Sequence, residues 1–149
     1  MKFVLISPKN RTAYNFRGDL IKLIISKGYE VIVTGPNREN VEKIEALGAR
    51  FVEIPMNKNG LNPIKDMEYQ KALKKLLTKE RPDVVLSYTA KPVIYGSISA
   101  KQAGVKSVTA MITGLGYAFT SQTKKAKVIR IIKRHLEKLI QLFSKIPTI

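Results

Sequence analysis

The chain has 149 residues, a formal charge of +16, no cysteine and one histidine. Its length suits one domain with a real core, and 44% hydrophobic against 26% charged residues is a globular balance rather than a disordered one. Those counts exclude a disulfide framework and a structural zinc site, and no apolar run reaches the ~20 residues a membrane-crossing helix needs.

Met1–Ile6 is apolar but stops at Ser7-Pro8 with no small-residue cleavage site. It therefore reads as a buried first strand, Lys2–Ser7, of a cytoplasmic chain rather than as a signal peptide. A loop through Asn10, Arg11 and Thr12 follows, and Asn15 is placed to cap a helix carrying Phe16, Leu20, Leu23 and Ile24 at helical spacing, closed at Lys27-Gly28. Glu30–Thr34 is the second strand, Arg38–Leu47 a short helix and Arg50–Ile54 the third strand. A loop rich in Asn, Gly and Pro (57–63) leads to a basic amphipathic helix, Met67–Lys79. Asp83–Tyr88, Val93–Ala103, Ser107–Ile112 and Ser121–Phe143 are then strand, helix, strand and helix.

Strands alternating with helices imply right-handed crossovers and a parallel sheet. The expected fold is an α/β, Rossmann-like, doubly wound single domain over residues 1–149, with strand order 3-2-1-4-5. Its ligands should lie where strands end at their carboxyl side. The loop after the fourth strand carries Tyr88, Thr89 and Lys91; the loop after the fifth carries Thr113, Gly114, Gly116 and Tyr117.

The chemistry is narrow. The loop after the first strand holds no glycine, so the dinucleotide fingerprint G-x-G-x-x-G is missing, and there is no G-x-x-x-x-G-K-[ST] phosphate loop. No carboxylate falls in the loops after strands one, four and five, and Ser87 and Ser97 have no histidine partner, so no proton-transfer pair is expected. Cations and hydroxyls suited to phosphate and sugar remain. Lys91, with Pro92 at the expected first helical position, would stand beside a helix N-terminus, a setting that suits a diphosphate. Arg17 and Gly18 are expected in the first turn of the first helix, where a phosphate can approach. Tyr88, Tyr95 and Tyr117 offer rings for stacking.

The charge is uneven. Eight lysines and arginines lie between Gln122 and Ile149 against Glu137 alone. Arg130, Lys133, Arg134 and Lys138 flank or oppose a stripe of Val128, Ile132, Leu136, Leu139, Ile140 and Phe143, and Lys124, Lys125, Lys127, Arg130, Lys133 and Arg134 are the expected membrane contacts. That pattern reads as a membrane-surface helix, with packing on its own sheet as the other reading. His135 lies in the same helix and is expected to be solvated or lipid-facing. Nucleic acid is not an expected partner, because no recognised binding motif accompanies the charge.

Tyr14-Asn15-Phe16-Arg17-Gly18-Asp19-Leu20-Ile21-Lys22, followed by Lys27-Gly28-Tyr29-Glu30-Val31, resembles the opening of glycosyltransferase family 4 enzymes. Tyr88 through Ser97 and Ile112-Thr113-Gly114-Leu115-Gly116-Tyr117 resemble, more specifically, the branch that extends undecaprenyl-diphosphate-linked sugars for capsule, O-antigen and glycoprotein glycans. The resemblance covers residues 1–135. It implies the N-terminal, acceptor-side half of a GT-B fold, with no cofactor, at the inner face of the plasma membrane. Asn15, Arg17, Gly18, Tyr88, Thr89, Lys91, Thr113, Gly114, Gly116 and Tyr117 are the expected acceptor or phosphate contacts, with Arg17 and Gly18 placed where a nucleotide-sugar phosphate approaches from the opposite domain. The nucleotide sugar would need a second domain, which residues 1–149 do not include. A truncated product, inactive alone, is therefore expected; a membrane-anchoring subunit that recruits a separate donor-binding chain is the other reading.

Overall fold

A computed structural model of the chain describes residues 1–57 and 62–113. Residues Met1–Met111 form one compact unit. Its elements alternate: β1 (Lys2–Ile6), α1 (Asn10–Ser26), β2 (Glu30–Gly35), α2 (Val41–Glu45), β3 (Arg50–Glu53), α3 (Pro63–Glu80), β4 (Val84–Tyr88), α4 (Ala90–Gln102) and β5 (Ser107–Met111). The strands pair in parallel in the order β3-β2-β1-β4-β5, the expected order. Leu5 of the central strand sits opposite Val33 on one side and Leu86 on the other.

The three inner strands β1, β2 and β4 are apolar on both faces because both are covered, whereas the edge strands β3 and β5 are partly or largely exposed. Phe3, Leu5, Val31, Val33, Leu86 and Tyr88 pack with Ala13 and Ile21 of α1 and Ile44 of α2. The alternate residues Val4, Ile6, Ile32 and Val85 pack with Tyr69, Leu73 and Leu77 of α3 and Ala100 of α4. The chain thus winds one way from β1 to β3 and the other way from β4 to β5. The switch point, where a crevice opens between strand ends, falls between β1 and β4.

Three helices begin earlier than their sequence suggested. The first starts at Asn10, not after a cap at Asn15, because the amides of Thr12 and Ala13 already bond the Lys9 carbonyl. Asn15 is consequently an exposed mid-helix residue, and Arg17 and Gly18 lie beyond the first turn. The buried face also differs from the expected stripe: Ala13, Gly18 and Ile21 point inward, while Phe16 and Leu23 are 72% and 55% exposed. Ala13 packs against the sheet and Gly18 faces Leu47 beyond α2, small-residue contacts that large-apolar spacing does not register. For α3, Asn62 caps and Pro63 opens the helix: the Asn62 side chain accepts from the amides of Ile64 (3.1 Å) and Lys65 (3.2 Å). The fourth helix starts at Ala90, so Pro92 is its third residue rather than its first, a position where the missing N–H is tolerated. By contrast α2 is shorter than the expected Arg38–Leu47, because Asn40 adopts a left-handed conformation at its start.

At the amino edge of the sheet, Glu80 closes a four-residue ion network. Its carboxylate accepts from Lys2 at 2.8 Å and Arg50 at 2.7 Å, and both cations also approach Glu30. The bond from Lys2 holds the Glu80 carboxyl below its ordinary value of 4.5 and, reciprocally, the bond to Glu80 raises Lys2 above 10.5. The Glu80 contribution to stability is therefore fully present above pH 4.5 and is lost as pH falls through the depressed value. The Lys2 contribution is fully present below pH 10.5 and is lost as pH rises through its elevated value. Glu80→Gln is expected to lower the urea midpoint at pH 7 and to converge with wild type in acid. An equal deficit at both pH values would show that the effect is not the charge.

Candidate functional site

The carboxyl ends of β1 and β4 bring two polar groups to the switch point. The first surrounds Tyr88, the buried last residue of β4. Its hydroxyl lies 2.5 Å from Ser7 Oγ, at the end of β1, and 2.9 Å from Thr12 Oγ1 in the first turn of α1. The Arg17 guanidinium sits over the Tyr88 ring, 5.1 Å from its centre. That stacking is a cation–π contact of the kind arginine favours. Arg17 also donates to the Phe16 carbonyl (2.9 Å) and to Met111 Sδ (3.1 Å), whereas its buried Nε has no hydrogen-bond partner among the described residues. No carboxylate pairs with Arg17 among those residues. Burial pushes the Tyr88 phenol upward, partly offset by its bonds to Ser7 and Thr12 and by the Arg17 charge, so it remains a neutral hydroxyl.

The second group gathers around Lys91 in the first turn of α4. Its ammonium donates to Asp66 Oδ1 at 2.6 Å and to the Asn57 carbonyl at 2.8 Å. Asp66, only 5% exposed, also accepts from the Tyr95 hydroxyl at 3.2 Å through Oδ2. Burial, reinforced by the Asp66 charge, pushes Tyr95 up to about 12, so it stays a donor across the neutral range. Its ring meets Tyr69 edge-on with centroids 6.1 Å apart, which locks the phenol in place. No carboxylate comes from the loops after β1 and β4, but one arrives from α3, Asp66, which the sequence reading did not select. Its position in the helix's first turn, where acidic residues favour the dipole, was the available sequence signal.

Thr89 links the two groups. It has φ 68° and ψ 161°, a region that glycine enters freely and threonine does not. Such backbone costs of order 1–3 kcal/mol and persists where surrounding contacts impose it. Its amide bonds the Met111 carbonyl at 3.2 Å and its carbonyl accepts from the Val93 amide at 3.0 Å. Thr89→Gly is expected to raise stability by about 1 kcal/mol after glycine's own entropic cost. A urea midpoint below wild type would show that Thr89 is not strained.

Arg17, Tyr88, Thr89 and Lys91 thus lie at or beside the β4 end, joined by Ser7, Thr12, Asn57 and Asp66, which the sequence reading did not select. Gly18 instead faces the Leu47 side chain, which a Cβ added there would meet at 3.7 Å. Asn15 is exposed on α1, and Thr113 is exposed beyond the compact unit. Gly114, Gly116 and Tyr117, with Lys124, Lys125, Lys127, Arg130, Lys133 and Arg134, lie outside the described residues. Among the described residues, no three acidic or histidine side chains cluster to hold a metal ion, and no helix is long and apolar enough to cross a membrane.

Comparison with known proteins agrees with this fold. The sequence model of the glycosyl transferase 4-like family matches residues 4–145. A Campylobacter jejuni relative, N,N'-diacetylbacillosaminyl-diphospho-undecaprenol alpha-1,3-N-acetylgalactosaminyltransferase, is 28% identical over 97% of this chain, which spans 38% of that relative's length. An Escherichia coli relative, UDP-Gal:alpha-D-GlcNAc-diphosphoundecaprenol alpha-1,3-galactosyltransferase, is 33% identical over 56% of the chain and 21% of its own. Among solved structures, Acinetobacter baumannii MurG superposes with a TM-score of 0.59 at 11% identity, over 73% of this chain and 35% of that one. At that identity the likeness is one of fold, a Rossmann-like domain of the GT-B kind.

Proposed function

We propose, from the premise that this chain belongs to the glycosyl transferase 4-like family, that it is the acceptor-binding half of a glycosyltransferase extending undecaprenyl-diphosphate-linked sugars. The observation that carries the reading is the switch-point rim. There Arg17, without a carboxylate partner among the described residues, stands over Tyr88 beside the hydroxyls of Ser7 and Thr12, with Lys91 in the adjoining first turn. Cations and neutral hydroxyls at one strand edge are what a sugar diphosphate needs for recognition. Both relatives' names specify a diphosphate-linked undecaprenol acceptor. Thr113, Gly114, Gly116 and Tyr117 would extend the same contact surface. The donor nucleotide sugar would be held by a second, separate domain.

The acceptor is a membrane lipid, so the reading includes peripheral attachment to the inner face of the plasma membrane. The basic residues Lys124, Lys125, Lys127, Arg130, Lys133 and Arg134, with the exposed lysines of α3, would supply roughly 1 kcal/mol each near anionic lipid. Products of such enzymes would be capsule, O-antigen or exopolysaccharide chains.

One experiment tests the proposal. Phosphatidylglycerol vesicles carrying a GlcNAc-diphosphoundecaprenol acceptor are mixed with purified residues 1–149 and a radiolabelled nucleotide sugar. The chain should sediment with vesicles at low salt, in a manner that added acceptor strengthens, yet transfer no label until a donor-binding domain is supplied. Robust transfer by residues 1–149 alone would overturn the half-site reading. Sedimentation indifferent to acceptor, with transfer restored by a second chain, would favour a membrane-anchoring subunit instead.

A further inference from the structure

We infer that the rim divides its labour: Arg17 takes the diphosphate, and the Asp66–Lys91 pair reads hydroxyls of the attached sugar, making Asp66 and Lys91 specificity-determining residues. This deepens the acceptor-binding reading above and rests on it. The two cations differ in what surrounds them. Among the described residues Arg17 has no carboxylate partner, and its charge meets a ring face, a backbone carbonyl and a thioether sulfur. It keeps its full attraction for an anion, and its buried Nε–H still lacks an acceptor.

Lys91 is neutralised. Asp66 stands 2.6 Å from its ammonium, so a phosphate arriving at Lys91 meets a carboxylate directly behind the cation. What survives is direction. Of three N–H groups, one goes to Asp66 and one to the Asn57 carbonyl, leaving one among the described residues. The side chain is 18% exposed, so that remaining donor side is reachable. Asp66 cannot swing away, because its second oxygen is held by Tyr95 and that ring is held against Tyr69. A pinned, charge-compensated donor beside a carbonyl oxygen suits a sugar hydroxyl better than a diphosphate.

Tyr88, under Arg17, and Lys91 are three residues apart, which keeps their Cα atoms within about 10 Å; the proposal puts the diphosphate at the first and its sugar at the second.

Titration calorimetry on the full chain tests the division with inorganic pyrophosphate and with farnesyl-diphospho-GlcNAc. Arg17→Met should weaken both ligands roughly tenfold or more. Lys91→Met should leave pyrophosphate within about twofold of wild type and weaken the sugar ligand roughly tenfold, the loss of a charge-assisted hydrogen bond. Asp66→Asn should weaken the sugar ligand likewise and bind pyrophosphate at least as tightly as wild type, because it removes the carboxylate behind the Lys91 cation. Lys91→Arg, which keeps donors at that place, should recover part of the sugar affinity. Circular dichroism restricts the comparison to folded variants, with Lys91→Arg the arm least disturbing to the fold. Equal losses of both ligands in Lys91→Met would overturn the division, as would unchanged sugar binding in Asp66→Asn. If Arg17→Met changes neither ligand, the acceptor-site reading itself falls, a result distinct from either of those. UDP-GlcNAc in place of the farnesyl compound identifies the source of the sugar diphosphate. Tighter binding of the farnesyl compound supports the acceptor, and tighter binding of UDP-GlcNAc overturns the acceptor assignment.

Discussion

Replacing Asp66 with alanine is expected to lower the stability of the domain by about 3 kcal/mol, among the largest effects of any single truncation at the rim. Removing one member of a buried ion pair leaves the other charge without compensation, at about 3–5 kcal/mol, and the partial exposure of Lys91 places this pair at the lower end. The same change strands the Tyr95 hydroxyl, which burial keeps in its protonated, donating form. The physical test is a double-variant cycle. Asp66→Leu combined with Lys91→Met replaces the pair by apolar groups and should recover most of the loss, since well-packed hydrophobic substitutes for buried pairs are often neutral. Urea denaturation of the two single variants and the double variant measures the coupling. If the double variant is as unstable as the sum of the singles, the pair is not a coupled unit.

Gly35→Ala is expected to cost about 2–3 kcal/mol, for a steric reason. Gly35 ends β2, and a Cβ added there would collide with the Asn10 side-chain oxygen and lie 2.9 Å from Phe51 Cε2. Overpacking in a filled interior costs about 1–3 kcal/mol. Here the displaced group is also bonded: Asn10 Nδ2 donates to the Asn37 carbonyl at 2.9 Å and to the Glu39 carbonyl at 2.6 Å. Pushing Asn10 aside would unfasten the start of α1 from the turn after β2 and disturb Thr12 at the rim. The prediction is again checked by coupling. Asn10→Ala alone should be destabilising, and Gly35→Ala should cost less on top of it than in wild type, because the Asn10 atoms are then gone and only the Phe51 contact remains. Additive losses in denaturant midpoints would show that the glycine is required for another reason.

The sequence by itself determined the architecture. Apolar runs such as Phe3–Ile6, Val31–Val33 and Val84–Leu86, separated by helical patterns, demand a parallel sheet covered on both faces, and crossover handedness then leaves few orders for five strands. It also marked Tyr88 and Lys91, because a strand's carboxyl end is a local landmark; Arg17 was selected for a first-turn place that it does not hold, since α1 opens at Asn10. Helix starts were less legible: Asn10, Pro63 and Ala90 open their helices through backbone geometry and capping that compete with other residues' similar signals. The tertiary structure alone decided the partners. Asp66 is 25 positions from Lys91 and Ser7 is 81 from Tyr88, so no local period relates them. They meet because the sheet order places β1 beside β4 while α3 and α4 pack on the same face. Asp66 thereby becomes a buried counter-charge while Arg17 has none among the described residues. A cation's chemistry depends on what stands within a few ångströms of it, and that is a property of the fold rather than of spacing along the chain.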